Sequence, residues 1–98
     1  MARKIIWEEH ALKLFAKAIK RISKDSVQQA EMVEKAILEK IEELLNHPEK
    51  YPPDKFKLHN DGIFRAFETH SYRISYKFND QEIRILRIRH IRQSPKLY

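Results

Sequence analysis

The sequence predicts an α+β fold in the order β-α-α-β-β-β: an N-terminal strand, an antiparallel helical hairpin, and a C-terminal antiparallel sheet of three strands. Three observations predict it. Apolar residues recur at spacings of three and four in two consecutive stretches between residues 8 and 47. They alternate at period two from Tyr72 to Phe78, and a β-branched run extends from Ile83 to Ile91. No internal repeat or low-complexity tract interrupts the 98 residues, so one domain over residues 1–98 is expected. A chain of this size buries roughly 60–65% of its unfolded surface and folds without staples.

Lys4-Ile5-Ile6-Trp7 is too short an apolar run for a helix and reads as the first strand. Glu8 and Glu9 then put negative charge where the first turn of a helix favours it. Leu12, Phe15, Ala16, Ile19 and Ile22 predict the buried stripe of a helix ending near Ser23, with Lys13, Lys17, Lys20, Arg21 and Lys24 elsewhere on it. Ser26 and Gln29 have the spacing of a capping box, so a second helix starts there. Its stripe is Val27, Ala30, Val33, Ile37, Ile41, Leu44 and Leu45, and Asn46-His47-Pro48 ends it. So short a connection makes the two helices antiparallel, and the C-terminal sheet supplies the surface that both stripes need.

Pro48, Pro52, Pro53 and Asn60-Asp61-Gly62 punctuate an extended connection that ends in a reversal. Ile63 to Glu68 is a short strand, followed by a turn at Thr69-His70-Ser71. In the next strand Tyr72, Ile74, Tyr76 and Phe78 share the core side, leaving Arg73, Ser75 and Lys77 as a solvent-facing basic side. Asn79 to Glu82 is a turn. In the returning strand the phase slips, because Ile83 and Ile85 are odd while Leu86 and Ile88 are even. Either a bulge lies near Ile85-Leu86, or the strand is central with apolar residues on both faces; the central strand is the preferred reading.

Charge is concentrated at the end of the chain. Residues 72–98 hold seven Lys or Arg against two acids, a net of +5 out of the whole chain's +6. With a pI near 9.7, this balance favours an anionic partner: nucleic acid, an acidic protein or a membrane surface. Cysteine is absent, which excludes disulfides, a thiol nucleophile and thiolate metal sites. His10, His47, His59, His70 and His90 show no ligand spacing, so no metal site is expected. A single Gly excludes a glycine-rich phosphate loop, and no cofactor is expected. No leader pattern and no apolar run of membrane length occurs, so a soluble, cytoplasmic protein without a membrane partner is expected.

The element order, the segments Ile63-Phe64-Arg65 and Ser71-Tyr72-Arg73-Ile74-Ser75-Tyr76, and the ending from Leu86 through Arg87, Ile88, Arg89, His90, Ile91, Arg92 and Gln93 to Pro95 resemble toxins of the RelE/ParE superfamily of type II toxin-antitoxin systems. The likeness covers nearly the whole chain; its most specific part is the Tyr-Arg strand with the Arg-His-x-Arg tail. The resemblance implies a small toxin that arrests growth or stabilises a plasmid and is neutralised by an acidic cognate antitoxin, alone as a homodimer or in a toxin-antitoxin hetero-oligomer. The long helical hairpin looks like ParE, whose members poison DNA gyrase. RelE-like members instead cut messenger RNA on the ribosome, and Arg65, Arg73, Arg92 and Tyr98 match positions of their catalytic set. Phe67 stands where that set has a second basic residue. A further alternative is a non-toxic, basic nucleic-acid-binding module.

Cleavage of RNA by its own 2′-hydroxyl needs cations on the phosphate oxygens and groups that move protons. Arg65, Arg73, Arg87, Arg89 and Arg92 are candidates for the first role, and His90 or Tyr98 for the second. The competing reading makes the same arginines a solvated sheet face, or a target- or antitoxin-binding surface built on Arg73, Arg87, Arg89, His90 and Arg92. Both readings expect these guanidinium groups to converge on one anion-seeking surface.

Overall fold

A computed structural model of the protein describes residues 2–98. Strand β1 (Lys4–Trp7) leads into helices α1 (Glu9–Asp25) and α2 (Val27–Glu43), followed by strands β2 (Phe64–Thr69), β3 (Tyr72–Phe78) and β4 (Glu82–His90). The fold is the expected β-α-α-β-β-β. The four strands form one sheet in the order β1-β4-β3-β2. β2, β3 and β4 pair antiparallel, and β1 adds parallel to the first half of β4, Lys4 opposite Glu82 through Trp7 opposite Ile85.

The phase slip in β4 comes from a bulge in a strand that is also central, and the apolar residues Ile83, Ile85 and Ile88 fill one face rather than both. The strand is central, between β1 and β3. Ser75 pairs with Arg87 and Tyr76 with Ile85, so Leu86 bulges out of the register. Because Leu86 is the extra residue, Ile83, Ile85 and Ile88 all face the core, exposed by 3% or less. Arg84, Arg87 and Arg89 share the opposite, outer face with their partners Lys77, Ser75 and Arg73.

The core lies between the inner face of the sheet and the hairpin. Ile74, Tyr76, Ile83 and Ile85 meet Ile37, Ile41 and Leu44 of α2 and its extension, with Ala11 and Phe15 of α1. Trp7 stacks on Phe15 at 5.1 Å between ring centroids. The stripe of α2 is as expected except for Val27, which is exposed at the first turn. On α1 the phase differs. Ala11 and Phe15 are buried, Leu14, Ala18, Ile19 and Ile22 half-buried, while Leu12 and Ala16 face outward. Apolar spacing alone left two overlapping stripes on α1, and packing against β4 selects the one through Ala11 and Ala18, whose small side chains allow close approach.

Ser26 is the sole residue between the helices and serves both. Its N–H donates to the Ile22 carbonyl at 3.0 Å, closing α1, and its Oγ accepts from the Gln29 N–H at 3.1 Å, opening α2. That first bond consumes the donor that a full capping box needs, so only the forward half of the box forms.

The β2–β3 turn holds His70 at φ 50° and Ser71 at φ 71°. Two successive left-handed residues are what a tight hairpin of right-twisted strands requires; His tolerates that region better than most side chains, whereas Ser71 is strained there. Replacing Ser71 with Gly is expected to raise stability by about 1 kcal/mol in urea denaturation.

Candidate functional site

The outer face of the sheet is not the open basic surface expected from alternation. The segment Pro53–Leu58 and the tail Lys96–Tyr98 lie over it. Pro53 bridges to Arg65, and the Asp54 N–H donates to the Phe64 carbonyl at 2.8 Å, which fastens the segment along the β2 edge. The tail is held by Tyr98 N–H to the Phe56 carbonyl at 3.0 Å and Leu58 N–H to the Tyr98 carbonyl at 2.6 Å.

Beneath this cover lies Asp54, a carboxylate whose side chain is fully buried. Its Oδ1 accepts from Arg73 Nη2 at 2.8 Å and from the Phe56 N–H at 3.1 Å; its Oδ2 accepts from the Tyr98 hydroxyl at 2.6 Å. Arg73 also donates to Glu68 at 3.0 Å and lies over the Phe56 ring, 4.9 Å from its centroid. Arg73 is therefore a buried, doubly ion-paired residue rather than a solvent-facing one, which corrects the expectation for β3. Its Nε has no partner among the described residues.

Burial alone pushes the Asp54 carboxyl up, but the bonds from Tyr98, Arg73, the Phe56 N–H and Ser75 outweigh it and hold it below the usual carboxylate range. Tyr98 moves the other way. Burial, then the bond to Asp54, raises its phenol well above the ordinary tyrosine value. A raised folded-state value means that the stabilisation is complete below about pH 10 and is lost as pH rises through the folded value. Tyr98→Phe is expected to reduce that alkaline loss of stability, measured by denaturation at stepped pH. For Asp54 the sign reverses: its contribution is present above about pH 4 and disappears as pH falls through the depressed value.

Arg87 and Arg89 complete the row. Arg87 lies over the Tyr98 ring at 4.4 Å and donates to the Lys96 carbonyl at 2.9 Å. Arg89, directly opposite Arg73, lies 5.2 Å from the Phe56 centroid and donates to the Gln93 carbonyl at 3.0 Å. Burial, then the adjacent Arg73 and Arg87, lowers the basicity of Arg89. Arg87, Arg89 and Arg92 have no acidic partner among the described residues, whereas Arg84 is paired with Glu82 at 2.6 Å and Glu8 at 3.4 Å.

Arg73, Arg87, Arg89 and Tyr98 are thus brought together, and Arg65 and His90 are not. Arg65 pairs with Tyr76 on the inner face, so the sheet separates it from Arg73. There it donates to the carbonyls of Gly62 at 2.8 Å, Tyr51 at 2.8 Å and Glu49 at 3.4 Å, tying down the loop after α2. His90 packs edge-on against Tyr72, and its Nδ1 accepts from the Arg92 N–H at 3.1 Å, shaping the turn beyond β4. Asp54, Phe56 and Glu68 were not legible as site residues. The only sequence signal is an acid set directly after Pro52-Pro53 and followed by the basic pair Lys55 and Lys57.

Two open grooves flank the row along α1. One, of about 640 Å³, is lined by His10 and Leu14 on one bank and by Arg87, Arg89, Lys96, Leu97 and Tyr98 on the other. The second, of about 610 Å³, lies between Arg21, Asp25 and Ser26 at the hairpin tip and His90, Arg92 and Gln93. Gln93 borders both, which makes them one cation-rimmed channel with an apolar floor of Leu14, Ile22 and Ile88.

With this geometry in place, a family model describing the ParE toxin of the type II toxin-antitoxin system, parDE, matches residues 5–95. The chain belongs to the ParE toxin family. As such a toxin it has a cognate antitoxin as partner. The toxin's fold is similar to that of a free-state E. coli toxin RelE mutant bearing two arginine-to-alanine substitutions. The TM-score is 0.56 at 20% identity, covering 94% of the toxin and 86% of that chain. At this identity the likeness is one of fold. No curated protein sequence matches the toxin. No helix among the described residues is long and apolar enough to cross a membrane, and no group of metal-ligating residues is found among them.

Proposed function

We propose that the toxin acts in the ParE manner, by binding a protein target of the DNA gyrase type, and that its antitoxin occupies the channel between α1 and β4. The observation that carries this reading is the state of the residues that RNA cleavage would need. Arg73 is committed to Asp54 and Glu68, Tyr98 to Asp54, and Arg65 to three carbonyls on the far side of the sheet. A phenol held by a buried carboxylate, with its acidity suppressed, is a poor proton shuttle at neutral pH. The cations left without acidic partners, Arg87, Arg89 and Arg92, border the channel instead. A channel rimmed by guanidinium groups over an apolar floor suits an acidic amphipathic segment, with charge steering its approach and the floor burying its apolar side chains.

Two assays run side by side test the target. Inhibition of gyrase supercoiling by the purified toxin, without new cleavage positions in toe-printing of messenger RNA on translating ribosomes, is the expected result. Codon-specific cuts in toe-printing with unimpaired supercoiling would overturn it and favour the ribonuclease. Growth unaffected by expression of the toxin without its antitoxin would favour a nucleic-acid-binding module.

A further inference from the structure

The two edges of the sheet are treated differently. The β2 edge is covered by Pro53 and Asp54, as described above. The β1 edge is not. The N–H groups of Lys4 and Glu8 donate to the carbonyls of Gln81 and Ile85 on β4, each at 3.0 Å. Strand alternation therefore turns the N–H and C=O groups of Ile5 and Trp7 away from the sheet, and among the described residues no hydrogen bond meets them.

We propose that this edge pairs with the β1 of a second copy of the chain, antiparallel across a two-fold axis through Ile6. Three features single out this occupant and this register. The outward-facing residues Ile5 and Trp7 are two apart, so in an antiparallel pair centred on Ile6 each faces the other across the dyad as a hydrogen-bonded pair. The same register sets Lys4 of one copy opposite Glu8 of the other, twice. Lys4 is exposed and has no ion pair among the described residues; the Glu8 side chain is 46% exposed and held by Arg84 only at 3.4 Å. Finally, the side chains match face by face: Ile6 meets its own symmetry mate on the outer face, and Ile5 meets Trp7 on the inner one. Moving the dyad to Ile5 or to Trp7 keeps one apolar self-pair but loses the charge match and sets Ile6 against Lys4 or Glu8. The result is one sheet continuous through both copies, with the channel along α1 repeated on each.

The absence of cysteine makes the test direct. At the dyad, the two Ile6 positions form a non-hydrogen-bonded pair with Cα atoms about 4.5 Å apart, within disulfide range. The two Lys4 positions are four residues out of step, about 13 Å apart. The Ile6→Cys toxin is expected to give a disulfide-linked dimer on air oxidation, and Lys4→Cys is not. The unsubstituted toxin is expected to sediment as a dimer at micromolar concentration, weakened at least tenfold by Lys4→Glu and restored when Glu8→Lys is added. Circular dichroism of each variant checks that the fold persists. Equal cross-linking at both positions, or at neither, would overturn the proposal. So would a monomer in sedimentation, the outcome if the edge is reserved for an extended segment of another protein. These readouts are independent of the toxin's target.

Discussion

Asp54→Ala is expected to cost about 3–5 kcal/mol of folding stability, the penalty for leaving a buried charge without its partner. The Arg73 side chain is only 10% exposed, and its remaining acid, Glu68, is half in water. Removing Asp54 also strips the acceptor from the Tyr98 hydroxyl and the Phe56 N–H, so the cover over the outer face of the sheet loses its anchor. A domain of this kind is stable by about 5–15 kcal/mol in total, so the variant approaches the edge of folding. Urea denaturation gives the value as a drop in midpoint. The double variant Asp54→Ala with Arg73→Met is expected to recover most of it, because the stranded charge is gone and the methionine fills similar volume. A loss under about 1 kcal/mol for the single change would mean that Arg73 finds water or Glu68 sufficient.

Reversing Arg89 to Glu is expected to weaken antitoxin binding by roughly 2 kcal/mol or more, about thirtyfold, mainly through faster dissociation. Arg89 stands at the centre of the cation row, borders the channel, and has no acid to neutralise it. Reversal of Arg84, on the same face but already paired with Glu82 and Glu8, is expected to leave antitoxin affinity nearly unchanged. Titration calorimetry at two salt concentrations separates the cases, since a contact through Arg89 weakens with added salt. Equal effects at both positions would place the antitoxin elsewhere.

Most of the fold was legible because each element carries a local signal. Ser26 announces a helix start, Val33, Ile37 and Ile41 announce its buried side, and Tyr72 to Phe78 alternate cleanly. What was not legible depends on contacts distant in the chain. Alternation placed Arg73 opposite Ile74 correctly but could not say what would cover that side, because the cover comes from residues 53–58 and 96–98. Arg65 and Arg73 look equivalent as basic strand residues; the pairing of Arg65 with Tyr76 and of Arg73 with Glu68 puts them on opposite faces. For α1, Leu12 and Ala11 each begin a plausible stripe, and the choice is made by β4 rather than by the helix.

The irregularity at Leu86 divides β4 by duty. Residues 82–85 are clasped by β1 and belong to the scaffold, whereas Arg87 to His90 have α1 and the channel alongside. Since Leu86 is supernumerary, a relative lacking that one position would keep every inward and outward assignment and merely straighten the strand. The half of β4 that borders the channel can therefore diverge in angle, and so change the channel's shape, while the interior it shares with the hairpin stays the same.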